Sequence, residues 1–391
     1  MKPLPSLALL HLALFLPLNS AQADASPPDK TSPNPVRFQP EGIPNSGRLF
    51  VNNEARGGSG HGNQALVECG NGDLLSFYPQ TPGDVMKGHS NTGWTEYRRS
   101  RDGGKTWGEP VVLAYSKAMQ ERGEVHSALV EEAVTAPDGT LIVFIGRYIT
   151  YDWRRTTPVF LASHDHGVTW DEPRPVNPGA DITKIGRAHA AVSYGKTLHV
   201  LFDSGTHNST KNGTGHHLYV SEDNGTTFEY RSTLPFPETA WYGTLNVIQG
   251  NKLIAYVYRS DEEKNFLYAT SDDEGRTWSE AKTTLLAKGL RNPQLSGELG
   301  GWYFLHGRSG QNTEDPRHLV LYRSRDGIVW DDGVFLNKGS TTDADSYSTN
   351  ELIGKNKGTP SSLLIQSSLA YDGSHRVNLH HWVIETGSSQ P

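Results

Sequence analysis

The sequence predicts an all-β chain folded as a six-bladed β-propeller, and three observations lead there. A motif of the form SxDxGxTW recurs along the chain, alternating apolar strands precede its copies, and a second class of hairpin turn falls between them. The copies read SRDGGKTW at 100–107, SHDHGVTW at 163–170, SEDNGTTF at 221–228 and SDDEGRTW at 271–278, with a shortened SRDGIVW at 324–330. Their aspartates, Asp102, Asp165, Asp223, Asp273 and Asp326, lie 63, 58, 50 and 53 residues apart, a period that suits one four-stranded sheet with its loops.

Each copy has the chemistry of a tight turn. The Asp accepts hydrogen bonds from the backbone of its own loop, Gly supplies a positive φ angle, and the Ser and Thr hydroxyls satisfy the remaining polar groups. The second class of turn includes Gly70-Asn71-Gly72-Asp73, Pro137-Asp138-Gly139-Thr140, Gly195-Lys196-Thr197 and Gly250-Asn251-Lys252, each joining two apolar runs. Two hairpins per repeat make four strands. The residues from Gly47 onward, about 345 of them, then give roughly six repeats. Composition agrees: 41 Gly and 23 Pro in 391 residues, without a collagen period, mean many turns. With 9 Trp, 16 Tyr and 12 Phe there is enough apolar bulk for a core.

Before the repeats, residues 1–23 read as an export signal: Lys2 precedes an apolar stretch at 7–18, and Ala21-Gln22-Ala23 offers a cleavage site. The expected product is secreted or periplasmic. Residues 24–46, rich in Pro, Ser and Asp, are expected to be a flexible linker, and 47–391 the propeller domain. No later stretch approaches the roughly 18 apolar residues of a membrane span. A net charge of −7 without a basic run argues against nucleic acid as a partner. The single Cys69 forms no internal disulfide and reads as a small buried residue. Adjacent strand residues face opposite ways, so neither His216-His217 nor His380-His381 can chelate a metal; no metal and no cofactor are expected, and the protein is expected to be a monomer. The sequons at Asn208, Asn212 and Asn224 fit turn chemistry equally well.

The five motif copies resemble the Asp boxes, or BNR repeats, of the sialidase (neuraminidase) superfamily, whose members are six-bladed propellers, and the resemblance covers nearly the whole of 47–391. In that family the boxes lie on the outer rim and serve structure. The resemblance implies an exo-glycosidase that removes a terminal acidic sugar, with an arginine triad gripping the carboxylate, a Tyr nucleophile activated by a Glu, and an Asp acid. Carried over residue by residue, Arg317 resembles the last triad arginine, Arg259 the middle one, and Tyr347 the nucleophile. Asp84 falls in the region of the acid. The first arginine is replaced: Gly62 stands there between His61 and Asn63, and either neighbour is expected to substitute. The stretch Trp241-Tyr242-Gly243-Thr244 holds no acid where the activating Glu belongs.

Further candidates come from the residues entering each inner strand, where propeller loops converge: Arg187, His189, Trp241 and Tyr242 are expected to bind substrate. As the second reading, His61, His89, His126 and His189 with Tyr242 or Tyr347 and arginines would suit a lyase acting on uronate-containing glycans. A carbohydrate-binding propeller without catalysis is the third reading, its aromatics stacking on sugars. Taken singly, each histidine is more often a satisfied turn or strand residue.

Overall fold

The computed structural model describes residues 36–37, 47–82, 93–149, 155–177, 179, 185–204, 215–338, 342–372 and 375–386. The signal sequence, Asp84, His89, Asn208 and Asn212 lie outside them, as does the linker apart from Val36–Arg37, whose backbone pairs with Glu385 and Thr386.

The strands form a propeller arrangement of antiparallel meanders. Three are separate four-stranded sheets: Ala188–Tyr194, Thr197–Asp203, His216–Ser221 and Glu229–Thr233; Ala240–Ile248, Lys252–Arg259, Glu262–Ser271 and Lys282–Leu285; Arg291–Leu295, Tyr303–Arg308, Leu319–Ser324 and Val334–Asn337. Two earlier meanders, Ala65–Glu68 to Val111–Val112 and Ser127–Thr135 to Arg174–Pro175, share one nine-stranded sheet with Gly58–Ser59. The last sheet contains Ser348–Ile353, Ser362–Ala370 and Val377–Thr386, and the early strand Arg48–Val51 pairs with Val377–Thr386 to complete it. Where the sequence leads to six separate blades, the described residues thus form five sheets. The reason is local: Gly93 and Trp94 run parallel to Ser127 and Ala128 and weld the first two meanders together. The first strand of each meander packs against the next around a ring, and Ser348–Ile353 returns to Ala65–Glu68.

Neighbouring meanders bury apolar clusters between them, and the aromatic that closes each Asp box is a part of that packing. Trp170 packs between the first and second meanders, Phe228 between the second and third, Trp278 between the third and fourth, and Trp330 between the fourth and fifth. Trp107 packs with Leu66, Leu74, Ile353 and Leu364 where the last sheet meets the first meander. Cys69 is buried, and burial pushes its thiol up to about 12.

The boxes form the turns read from the sequence. Ser100 Oγ donates to Asp102 Oδ1 at 2.8 Å, and Asp102 accepts from the Thr106 amide at 2.9 Å and the Thr106 hydroxyl at 2.5 Å. The same three bonds recur around Asp165, Asp223 and Asp273. At Asp326 the hydroxyl is missing, because Val329 stands in its place. Gly275, at φ +79°, brings its Cα so near Leu218 that a Cβ would lie 2.0 Å from that side chain. Hydrogen bonds to the Thr side chain and backbone hold the Asp102 and Asp273 carboxyls near 2. A carboxyl depressed in the folded state contributes stability above its ordinary value and loses it as pH falls to the folded value. Acid unfolding is therefore expected to deepen between about pH 4 and pH 2. Asp102→Asn should flatten that segment of a urea-midpoint profile, and an unchanged slope would contradict the assignment.

Candidate functional site at one mouth of the channel

The inner strands carry β-bulges where they enter the ring. Register shifts fall at Glu131 between Val130 and Glu132, at His189 between Ala188 and Ala190, at Trp241-Tyr242 between Ala240 and Gly243, and at Asn292-Pro293 between Arg291 and Gln294. A bulge defeats the strict alternation of a strand, so neighbouring side chains can turn toward the same space. Backbone strain accompanies them: Asn63, Asn292 and Ser346, all at strand entries, have φ of 57°, 53° and 61°. Together these entries line a pocket that includes Asn63, Glu132, Arg187, His189, Tyr242 and Tyr347. Glu132 and Gln294 also border the axial cavity beyond, of about 660 Å³.

Four arginine–tyrosine pairs surround this mouth. The guanidinium carbons lie 5.4 Å (Arg155 on Tyr148), 5.1 Å (Arg187 on Tyr242), 5.4 Å (Arg291 on Tyr258) and 5.0 Å (Arg308 on Tyr347) from the ring centroids. Imidazoles join two of them edge-on: His61 meets Tyr347 and His189 meets Tyr242, each with centroids 5.3 Å apart. Tyr242 and Tyr258 lie parallel at 6.3 Å.

Carboxylates fix these groups from behind. Glu131 accepts from the Tyr148 hydroxyl at 2.5 Å, from Asn63 Nδ2 at 3.2 Å and from the Ala188 amide at 3.0 Å. Asp203 accepts from the Arg187 amide at 2.7 Å and from His189 Nε2 at 3.1 Å, and stands 3.5 Å from Arg155. Burial alone would raise the Asp203 carboxyl, but Arg155 and His189 hold it well below the usual range. Burial, opposed by Asp203, lowers His189, and the contact of Nε2 with Asp203 leaves Nδ1 on the other side of the ring. Arg291 pairs with Glu263 at 3.3 Å and donates to the Tyr258 hydroxyl at 3.4 Å.

Glu132 differs from these. Burial, reinforced by Glu131 and Glu351 and opposed by Arg187, raises its carboxyl to about 8, so it carries a proton at neutral pH. A carboxyl raised in the folded state destabilises progressively as pH climbs from its ordinary value to the folded one. Glu132→Gln is accordingly expected to stabilise the chain above about pH 8 and to make no difference below about pH 4.5. Urea midpoints of the two proteins at pH 4.5 and pH 9 check this; equal gaps at both would overturn it.

The structure brings together His61, Asn63, Arg187, His189, Tyr242 and Tyr347 from the sequence-based candidates. It does not bring in the other two arginines. Arg259 is 33 % exposed and pairs with Asp261 at 3.0 Å, because strand alternation turns the preceding Tyr258 inward instead. Arg317 is 39 % exposed and pairs with Asp343 at 3.0 Å; the inward arginine of that meander is Arg308, which ends the strand Tyr303–Arg308. Trp241 packs against the apolar cluster of the fourth and fifth meanders, and its carbonyl accepts from His216 Nε2 at 2.6 Å. Sequence reasoning missed Glu131, Glu132, Tyr148, Arg155, Asp203, Tyr258 and Arg308. Two adjacent acids inside the otherwise apolar strand Ser127–Thr135 were a readable signal. Among the described residues no cluster of His, Cys, Asp and Glu could hold a metal ion, and no helix is long and apolar enough to cross a membrane.

Residues 94–368 match a family model described as a BNR repeat-like domain. No curated protein matches the chain. Among solved structures, a protein of unknown function from Dyadobacter fermentans is similar at 15 % identity and a TM-score of 0.69, over 87 % of this chain and 97 % of its own. A Hadza microbial sialidase follows at 16 % and 0.63, over 86 % and 68 %, and Trypanosoma rangeli sialidase at 14 % and 0.57, over 90 % and 59 %. At such identities the likeness is one of fold.

Proposed function

Because the chain belongs to the BNR repeat-like domain family, we propose that it is an exported, monomeric, six-bladed propeller, its two welded meanders counted separately, that removes a terminal acidic sugar from glycans. The observation that carries this reading is the Arg308 guanidinium on the Tyr347 ring at the channel mouth. Arg308, with Arg291 in the same meander, would hold the sugar carboxylate through charge-assisted bonds. Tyr347 Oη would attack the anomeric carbon as the glycosidic C–O bond breaks, with its phenolic proton passing to His61. The proton held on Glu132 would go to the leaving oxygen, and water would then release the sugar from Tyr347. The sialidases of similar fold add weight to this order of readings.

A second reading rests on His189. Oriented by Asp203, its Nδ1 would remove the proton α to a uronate carboxylate neutralised by Arg187, while Tyr242 protonates the departing oxygen and a C=C bond forms. Purified protein given a fluorogenic sialoside and a panel of uronate polysaccharides separates the two. Released sialic acid or another saturated acidic sugar supports hydrolysis, and new ultraviolet absorbance from an unsaturated uronate supports elimination. Binding without turnover of either would overturn both.

A further inference from the structure

Positive charge at the mouth is only partly balanced. Arg155 has Asp203 and Arg291 has Glu263 within ion-pair distance, but among the described residues neither Arg187 nor Arg308 has a carboxylate so close, and Glu131 acts on Arg187 only from further off. Arg308 is 4 % exposed, its Nε has no hydrogen-bond partner, and Nη1 donates to the Asp343 carbonyl at 2.5 Å. Arg187 Nε is likewise buried without a partner, and the side chain lines the pocket. A ring face offsets only a small part of what desolvating a cation without a close counter-ion costs. Each guanidinium therefore keeps an N–H free to bind an anion.

The two surroundings are alike. Each has a guanidinium over a tyrosine and an imidazole at that tyrosine's edge: Arg308, Tyr347 and His61 in one, Arg187, Tyr242 and His189 in the other. The two tyrosines belong to different sheets yet line one pocket. We propose that the mouth holds two carboxylates at once, one on Arg308 and one on Arg187, so that the substrate is a glycan with acidic groups on two neighbouring sugars. This rests on the acidic-glycan reading above and narrows it from a single terminal acid to a pair.

Calorimetric titration with two matched pairs tests it: N-acetylneuraminate against α2,8-linked disialate, and galacturonate against digalacturonate. The two-carboxylate member of at least one pair should bind about tenfold tighter in low salt or more, with the gap shrinking at high ionic strength. Whichever pair shows the gap names the sugar class. Arg187→Ala should bring that ratio close to one, Arg187→Lys should reduce it, since an ammonium cannot reproduce the planar fork, and the outlying Arg259→Ala should keep it. Thermal melts of the variants exclude misfolding as the cause. Equal binding within both pairs, or a ratio that survives Arg187→Ala, overturns the proposal. If single-carboxylate binding depends on Arg308 while the second carboxylate adds nothing, only the two-seat inference falls; if neither Arg308→Ala nor Arg187→Ala weakens single-carboxylate binding, the acidic-glycan reading falls with it.

Discussion

Tyr347→Phe is expected to lower turnover of an acidic glycoside by at least about 10³-fold, the scale on which loss of a nucleophile is felt. The change is confined to one oxygen. The phenyl ring keeps its place under the Arg308 guanidinium and against the edge of His61, so substrate affinity should move little while kcat collapses. That split identifies a group acting in the transition state rather than in the ground state. If elimination by His189 and Tyr242 is the true chemistry, Tyr347→Phe will leave turnover within a few-fold of the parent and Tyr242→Phe will abolish it, so the two variants assayed side by side decide between mechanisms.

The largest structural effect is expected from Phe228→Ala, at about 3–5 kcal/mol of stability. Phe228 stands where the other full Asp boxes carry Trp, is 4 % exposed, and meets Phe144 and Phe160 edge-on, each at 5.0 Å. Those rings belong to the second meander, so the substitution opens a cavity between two sheets. The hydrogen bonds of Asp223 to Ser221 and Thr227 remain intact in the variant, which separates packing from turn chemistry. Urea unfolding measures the loss, with the exposed Tyr230→Ala as comparison. A loss below about 1 kcal/mol would mean that the box aromatic does not hold neighbouring meanders together.

The rim of the molecule was far more legible in the sequence than its centre, and the reason is range. An Asp box is closed by bonds spanning two to four residues, so Ser, Asp, Gly and Thr at fixed offsets contain nearly all of its physics. The mouth of the channel is built from the far ends of second strands. Tyr148, Asp203 and Arg308 each end one and meet only through the ring, and Tyr258 sits one residue before such an end. Sequence spacing fixed the strand that ends at Arg259, but a one-residue parity decides whether Tyr258 or Arg259 faces the pocket. The bulge beside Tyr242 resets that parity in the pairing between Ala240 and Gly243 and leaves no mark in a single sequence. His189 and Tyr242 were found because they sit at strand entries, where the turn signals point; Glu132 was missed because it lies inside a strand.

The strand Arg48–Val51 closes the last sheet against Val377–Thr386, pairing Arg48 with His381 across more than 300 residues, and Phe50 lies 4.0 Å from the His381 ring. That pairing makes the ring a belt fastened by its two ends. Every other sheet is made from consecutive chain, whereas the buckle joins strands from opposite ends of the ring. The spacing of the sheets on either side of the pocket, and with it the assembly of the arginines and tyrosines at the mouth, therefore depends on a fastening made at the periphery.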